Sequence, residues 1–159
     1  MKKIILIRHA KSSWDYNCSD LERPLSNRGY NDADIMSIIF KNFKLNIDSI
    51  YSSPAKRALD TANKFFNNLN YNVKLIIQPN LYDFDGKATE KFIKCLDNSY
   101  NTVMIFSHNN TCSNLYKKYT HHKNLHVPTC GILIFEFDVS LWADIKSGHC
   151  KYFFFNKLN

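Results

Sequence analysis

Three short stretches of this sequence place chemically capable side chains directly after apolar runs. Ile4-Ile5-Leu6-Ile7 runs into Arg8-His9. Ile50-Tyr51 runs into Ser52-Ser53-Pro54, with Arg57 just beyond. Val103-Met104-Ile105-Phe106 runs into Ser107-His108. A cation and an imidazole are costly neighbours for a core unless the end of the run opens into a site. Two guanidinium groups offer fixed charge and a fork that matches an oxyanion. Two imidazoles add groups whose charge follows their surroundings. Together they suit a phosphate or a transferring phosphoryl group. Arg57 adds a physical argument of its own. A cation in the first turn of a helix opposes the helix dipole at a cost of ~0.3–1 kcal/mol, and Lys56 repeats the mismatch. A bound anion shared with the backbone N–H groups would account for it. The competing reading turns Arg57 outward into water.

Strands must bring these residues to one rim. The run at 4–7 reads as a strand buried on both faces. A polar loop at 11–24 follows, anchored by Trp14, Tyr16 and Leu21. Ser26 caps a helix over 27–43, with apolar residues at Ala33, Met36, Phe40 and Phe43. A second strand at 47–51 leads to a helix with Ser53 as N-cap and Pro54 in its first position; Ala58, Ala62, Phe65, Phe66 and Leu69 form its buried stripe. A strand at 73–77, a loop at 79–86, a helix at 88–96, a strand at 102–106 and a helix at 111–119 come next. Runs at 131–139 and 151–155 read as an antiparallel hairpin with a turn near Ser147-Gly148. Strands alternating with helices predict an α/β fold, three-layer α/β/α with a mainly parallel central sheet. The last two strands would add an antiparallel edge. If the first, second and fourth strands are parallel, Arg8, His9, Arg57 and His108 share the carboxyl-end rim, where open α/β sheets bind ligands.

Composition narrows the class. The length of 159 residues suits one domain, 1–159, and 45% apolar with 22% charged residues is an ordinary globular balance. No apolar run approaches the ~20 residues needed to cross a bilayer, and the apolar start is too short for a signal peptide, so the reading is cytoplasmic with no membrane partner. Five cysteines, none spaced C-x-x-C, read as reduced thiols. His121, His122 and His126 invite a metal, but no carboxylate or cysteine nearby completes a set, so they read as a polar loop and no metal is assigned. The net charge of +7 favours anionic partners. The lysines are scattered, without the aromatic and basic clustering of a nucleic-acid binder, so no nucleic-acid partner is expected.

The stretches Leu6-Ile7-Arg8-His9-Ala10-Lys11-Ser12-Ser13-Trp14, Asp20-Leu21-Glu22-Arg23-Pro24-Leu25-Ser26-Asn27-Arg28-Gly29, Ser52 through Thr61 and Ala62, and Ser107-His108-Asn109 occur in order. Together they resemble the histidine phosphatase superfamily, which includes cofactor-dependent phosphoglycerate mutases. The likeness is closest to its short bacterial branch of SixA-type phosphohistidine phosphatases and extends over residues 2–119. The resemblance implies a phosphoglycerate mutase-like fold and a phosphatase that uses neither metal nor cofactor. His9 would be the nucleophile, forming a phosphohistidine that water hydrolyses. Arg8, Arg57 and His108 would stabilise the phosphoryl oxygens, and Lys11, Ser12 and Asn109 would add binding contacts. Many members place a glutamate acid in the loop after the third strand. Asp83 is the nearest equivalent here, with Asp85 in reserve; the competing reading makes Asp83 a turn residue beside Gly86. Asp15 stands where mutase-like members often have a phosphate-binding asparagine, and it is left out of the site. The expected partner is a phosphorylated substrate, foremost a histidine-phosphorylated protein domain. A small phosphomonoester and a non-catalytic phosphate-binding role are the alternatives.

Overall fold

The computed structural model describes residues 1–154. Strands β1 (Lys2–Arg8), β2 (Ser49–Ser52), β3 (Leu75–Ile77), β4 (Thr102–Ser107), β5 (Ile132–Phe137) and β6 (His149–Phe153) form one sheet in the order β3-β2-β4-β1-β5-β6. β1 pairs in parallel with β4, and β2 in parallel with both β4 and β3, while β5 is antiparallel to β1 and β6. Helices α1 (Asn27–Lys41), α2 (Lys56–Leu69), α3 (Lys87–Lys94) and α4 (Asn109–Thr120) complete the fold.

The apolar run of β1 is continuous because both of its faces are covered. Ile5 and Ile7 pack with Ala33, Met36 and Phe40 of α1 and Ala62, Phe65 and Leu69 of α2. Ile4 and Leu6 pack with Ile93 of α3 and Leu115 and Tyr119 of α4. Each such side chain contributes about 1.5–3 kcal/mol when fully buried, so the sheet is the rigid floor on which the rim residues stand. Lys2, almost fully buried at the start of β1, donates to the carbonyls of Asn98 (2.7 Å) and Tyr100 (2.6 Å) and lies over the Trp142 ring. That pairing explains why the strand begins before the apolar run does.

The last two strands add the expected antiparallel edge, β5 pairing with β1 and β6 lying outermost, with β3 at the opposite edge. Other expectations need correction. β5 and β6 are joined by a long connection rather than a tight turn, and its 3-10 turn, Trp142–Asp144, buries Trp142 in the core. The predicted run at 151–155 ends on Phe155, which lies outside the described residues. α2 begins at Lys56, with Ala55 in the N-cap position and no side-chain cap. Ser53 is not its cap: its Oγ, shared with His108 (2.9 Å), accepts from the Ala55 N–H (3.3 Å), ahead of the helix. Ser26 does cap α1, accepting from the Gly29 N–H at 3.0 Å. No helix among the described residues is long and apolar enough to cross a membrane.

Candidate active site

Parallel register places the strand ends side by side: Arg8 lies opposite Ser107, and Ser52 opposite Phe106. Beyond them His9, Ser53 and His108 leave the sheet at the same rim. The backbone of His9 is held on both sides, its N–H donating to the Ser107 carbonyl (3.0 Å) and its carbonyl accepting from Cys130 (3.1 Å). The next N–H, of Ala10, donates to Thr61 Oγ1 (2.9 Å), and that hydroxyl donates to the Arg57 carbonyl (2.7 Å). Thr61 thereby ties the end of β1 to the first turns of α2.

His9 is 8% exposed, and its Nδ1 lies 2.7 Å from the Ala10 carbonyl. A carbonyl can only accept, so Nδ1 carries the hydrogen and Nε2 is left with a lone pair. Burial lowers the imidazole pKa to about 3. The positive surroundings of Arg57 and Arg8, with His108, act in the same direction, against the Ala10 bond. His9 is thus neutral at ordinary pH, with one bare ring nitrogen. Its ring centroid is 5.5 Å from that of His108. An Arg57 terminal nitrogen lies 3.4 Å from His108 Nδ1. A guanidinium can only donate, so His108 Nδ1 accepts and Nε2–H donates to Ser53. Burial, and then Arg57, lower His108 to about 4.

Arg57 does not turn outward: it is 2% exposed. Its two terminal nitrogens donate to the carbonyl (2.7 Å) and the carboxylate (3.1 Å) of Asp20. The anion that the helix dipole called for is therefore supplied by the chain. Arg8 donates to the Val127 carbonyl at 2.7 Å. The Nε atoms of Arg8, Arg23 and Arg57 are buried without a hydrogen-bond partner.

The remaining candidates fall into different settings. Ser12 is buried and accepts a hydrogen bond from Arg23. Lys11 is exposed, and its carbonyl accepts from the N–H (2.9 Å) and hydroxyl (3.1 Å) of Ser26. Asn109 opens α4 next to His108, and its Oδ1 is buried without a partner. Asp83 is buried, and its carboxylate accepts from the backbone N–H groups of Asp85 (3.1 Å), Gly86 (3.2 Å) and Thr89 (2.9 Å). Burial alone would raise its pKa; these bonds outweigh burial and lower it. A carboxylate so occupied has no proton to donate at neutral pH, which is the turn reading rather than the acid reading. Asp15 accepts from the Ser13 hydroxyl and not from Lys11.

Five contributors escaped the sequence reading as site residues: Asp20, Arg23, Tyr82, Ser53 and Thr61. Asp20 accepts from Tyr82 (2.6 Å) and Arg23 (2.8 Å) as well as Arg57, and Arg23 stacks on Trp14 with its guanidinium carbon 3.9 Å from the ring centroid. The one local signal was the spacing of Asp20 and Arg23, which pairs them across a turn. Tyr82 and Phe84 stand beside His108 (centroids 5.7 and 4.9 Å), and Trp14 lies under Arg23; all three rings are exposed. His121 and His122 line a separate cavity of about 620 Å³ between the end of α4 and β5–β6. No group of three or more metal-capable side chains occurs among the described residues.

A mainly parallel six-stranded sheet, covered by helices on both faces, is the phosphoglycerate mutase-like fold. It aligns over 94% of both chains with a structure of the protein histidine phosphatase SixA complexed with tungstate (TM-score 0.81, 22% identity). It also aligns with a mycobacterial glucosyl-3-phosphoglycerate phosphatase complexed with VO3, over 96% of this chain and 97% of that one (TM-score 0.70, 12% identity). Residues 4–94 match the histidine phosphatase superfamily (branch 1), and the chain belongs to that superfamily. Among curated proteins, 2,3-bisphosphoglycerate-dependent phosphoglycerate mutase 2 of Bacteroides thetaiotaomicron is 31% identical over 75 residues, 44% of this chain. The match spans 29% of the mutase's own length.

Proposed function

We propose that this chain is a phosphatase that transfers a phosphoryl group to His9 and then to water, acting on phosphohistidine carried by a protein. The observation that carries this reading is the state of His9: neutral, with Nδ1 bound to the Ala10 carbonyl and Nε2 bare beside a second imidazole and Arg57. In the first step the Nε2 lone pair forms a bond to phosphorus while the bond from phosphorus to the leaving group breaks. In the second, water attacks phosphorus, the N–P bond breaks, inorganic phosphate leaves and His9 is restored. Arg8, Arg57 and His108 offset the charge on the equatorial oxygens, which is most of what phosphoryl transfer asks of a protein. The Asn109 amide and the Ser12–Arg23 pair stand as further binding groups, and Lys11 adds positive charge at the mouth. The route as proposed draws its positive charge from arginines and needs no metal.

Phosphohistidine suits the site for two reasons. Its leaving group is an imidazole, which departs more readily than an alkoxide, so the ionised Asp83 need not act as an acid. The exposed rings of Tyr82 and Phe84 at His108, and of Trp14 at Arg23, suit a substrate presented on a protein surface. The likeness to SixA supports the same substrate class. A small phosphomonoester is the second reading, favoured by the likeness to glucosyl-3-phosphoglycerate phosphatase.

The test is release of inorganic phosphate from a histidine-phosphorylated carrier domain and from p-nitrophenyl phosphate, each with and without a chelator, by the wild type and His9→Ala. Chelator-resistant turnover lost in His9→Ala is expected. Unchanged turnover in His9→Ala would sink the covalent route. Turnover of the small ester alone would remove the protein substrate but keep the enzyme class. Phosphate binding without any turnover would leave a binding module.

A further inference from the structure

The proposed function asks Arg57 to bind a phosphoryl group, yet both of its terminal nitrogens are already committed to one residue, Asp20. The Asp20 carboxylate is gripped from three directions. Arg57 holds it from α2, Arg23 from its own loop at 2.8 Å, and Tyr82 from the loop before α3 at 2.6 Å. Those contacts, the Tyr82 hydroxyl foremost, keep it strongly ionised. Asp20 belongs to residues 14–22, every one of which is exposed. Apart from Asp20, this segment is hydrogen-bonded to α2 through a backbone bond from Lys56 N–H to the Leu21 carbonyl (2.8 Å).

A guanidinium recognises an oxyanion with the same fork that Asp20 occupies, through two parallel N–H bonds. A carboxylate and a phosphoryl dianion at that fork would repel one another. The Asp20 side chain is 47% exposed, so a released carboxylate is rehydrated at little cost. The Nε atoms of Arg57 and Arg23 are buried without a hydrogen-bond partner, so neither guanidinium is saturated.

We propose that the Asp20 carboxylate and the substrate's phosphoryl group compete for the fork of Arg57. The strap of residues 14–22 is then latched by Asp20 and Tyr82, and phosphoryl binding releases it. This rests on the phosphatase reading and adds a selection rule to it. An incoming anion must displace a carboxylate already bonded to two arginines and a tyrosine. A dianionic phosphoryl group does so more readily than a singly charged anion.

The experiment is calorimetric titration of tungstate into the wild type, Asp20→Asn, Tyr82→Phe and Arg57→Ala, paired with steady-state kinetics on p-nitrophenyl phosphate. Asp20→Asn should bind tungstate about tenfold or more tightly, a coupling of ordinary size between two competing ligands. Its KM should fall while kcat does not rise. Tyr82→Phe loosens the latch from the opposite loop, so it guards against a misfolded strap and should shift binding in the same direction by less. Arg57→Ala should bind tungstate weakly, and adding Asp20→Asn to it should bring back little of the gain. Unchanged or weaker tungstate binding in Asp20→Asn would overturn the competition and make Asp20 a fixed support for Arg57. If neither the wild type nor Asp20→Asn binds tungstate, the phosphoryl site itself falls, and the latch with it.

Discussion

The carboxylate of Asp83 accepts three backbone N–H bonds at the entrance to α3, which makes it a cap rather than a proton donor. Asp83→Asn should therefore lower stability by about 0.5–2 kcal/mol, as the loss of a cap does. It should reduce kcat by less than about tenfold, and equally for aryl and alkyl phosphates; removing a general acid typically costs ~10²–10⁴ and falls hardest on the poorer leaving group. Thermal melts and the ratio of the two rates check this, and a selective loss on the alkyl ester would restore Asp83 as the acid. At this scale the sequence was a fair guide to residue type and a poor one to residue state. Arg8, His9, Arg57 and His108 could be grouped because each follows or opens a recognisable element. No pattern of letters reveals that the Ala10 carbonyl fixes the tautomer of His9, because that bond depends on how the chain bends after β1. Asp20 was hidden for a related reason: a lone carboxylate in a polar loop has no periodicity, and its partners come from three separate segments.

The first turn of α1 rests on the loop that carries Ser12. The N–H and hydroxyl of Ser26 both donate to the Lys11 carbonyl, and a Cβ on Gly29 would stand 2.0 Å from that same oxygen. Gly29 is thus required by close approach to backbone, where neither atom is the end of a flexible side chain. Gly29→Ala should cost about 1–3 kcal/mol through overpacking. It should also lower kcat/KM, because the relief available is to push the 11–13 segment off α1. Urea midpoints and kinetics on the same preparation test both effects, and full activity in a destabilised variant would uncouple the helix from the site. Element types were legible from hydrophobic period, since covered strands and amphipathic helices write it into the chain. Boundaries were lost where tertiary demand replaced local preference. Ser53-Pro54 has the chemistry of a helix start, but the Ser53 hydroxyl serves His108 and the helix waits until Lys56. The antiparallel edge of β5 and β6 was legible, but the choice of β1 as the neighbour of β5 was not, because strand order depends on which faces the whole set must bury.

For the molecule as a whole, the two imidazoles link the site to acid stability. In the fold they are held to about 3 and about 4, whereas an unfolded histidine titrates near ~6.5. Below that value the unfolded chain binds more protons than the folded one, so stability is complete above about pH 6.5 and falls as acid is added toward pH 4. Between pH 7.5 and 5 each histidine should cost on the order of 2 kcal/mol. Urea denaturation across that range should show the loss, and His108→Asn should flatten its share of it. A profile equally flat in the wild type would mean that both rings take up protons in the fold at the same pH as in the unfolded chain. The pairing of β1 on both sides, with β4 and with β5, has a consequence for how the molecule breathes. Amide hydrogens in such a strand trade with solvent deuterium only when the entire sheet opens. The segment that delivers Arg8 and His9 should therefore be among the last to take up label, and residues 14–22 among the first. His9 would then keep its posture for as long as the fold survives, while residues 14–22 open and close many times.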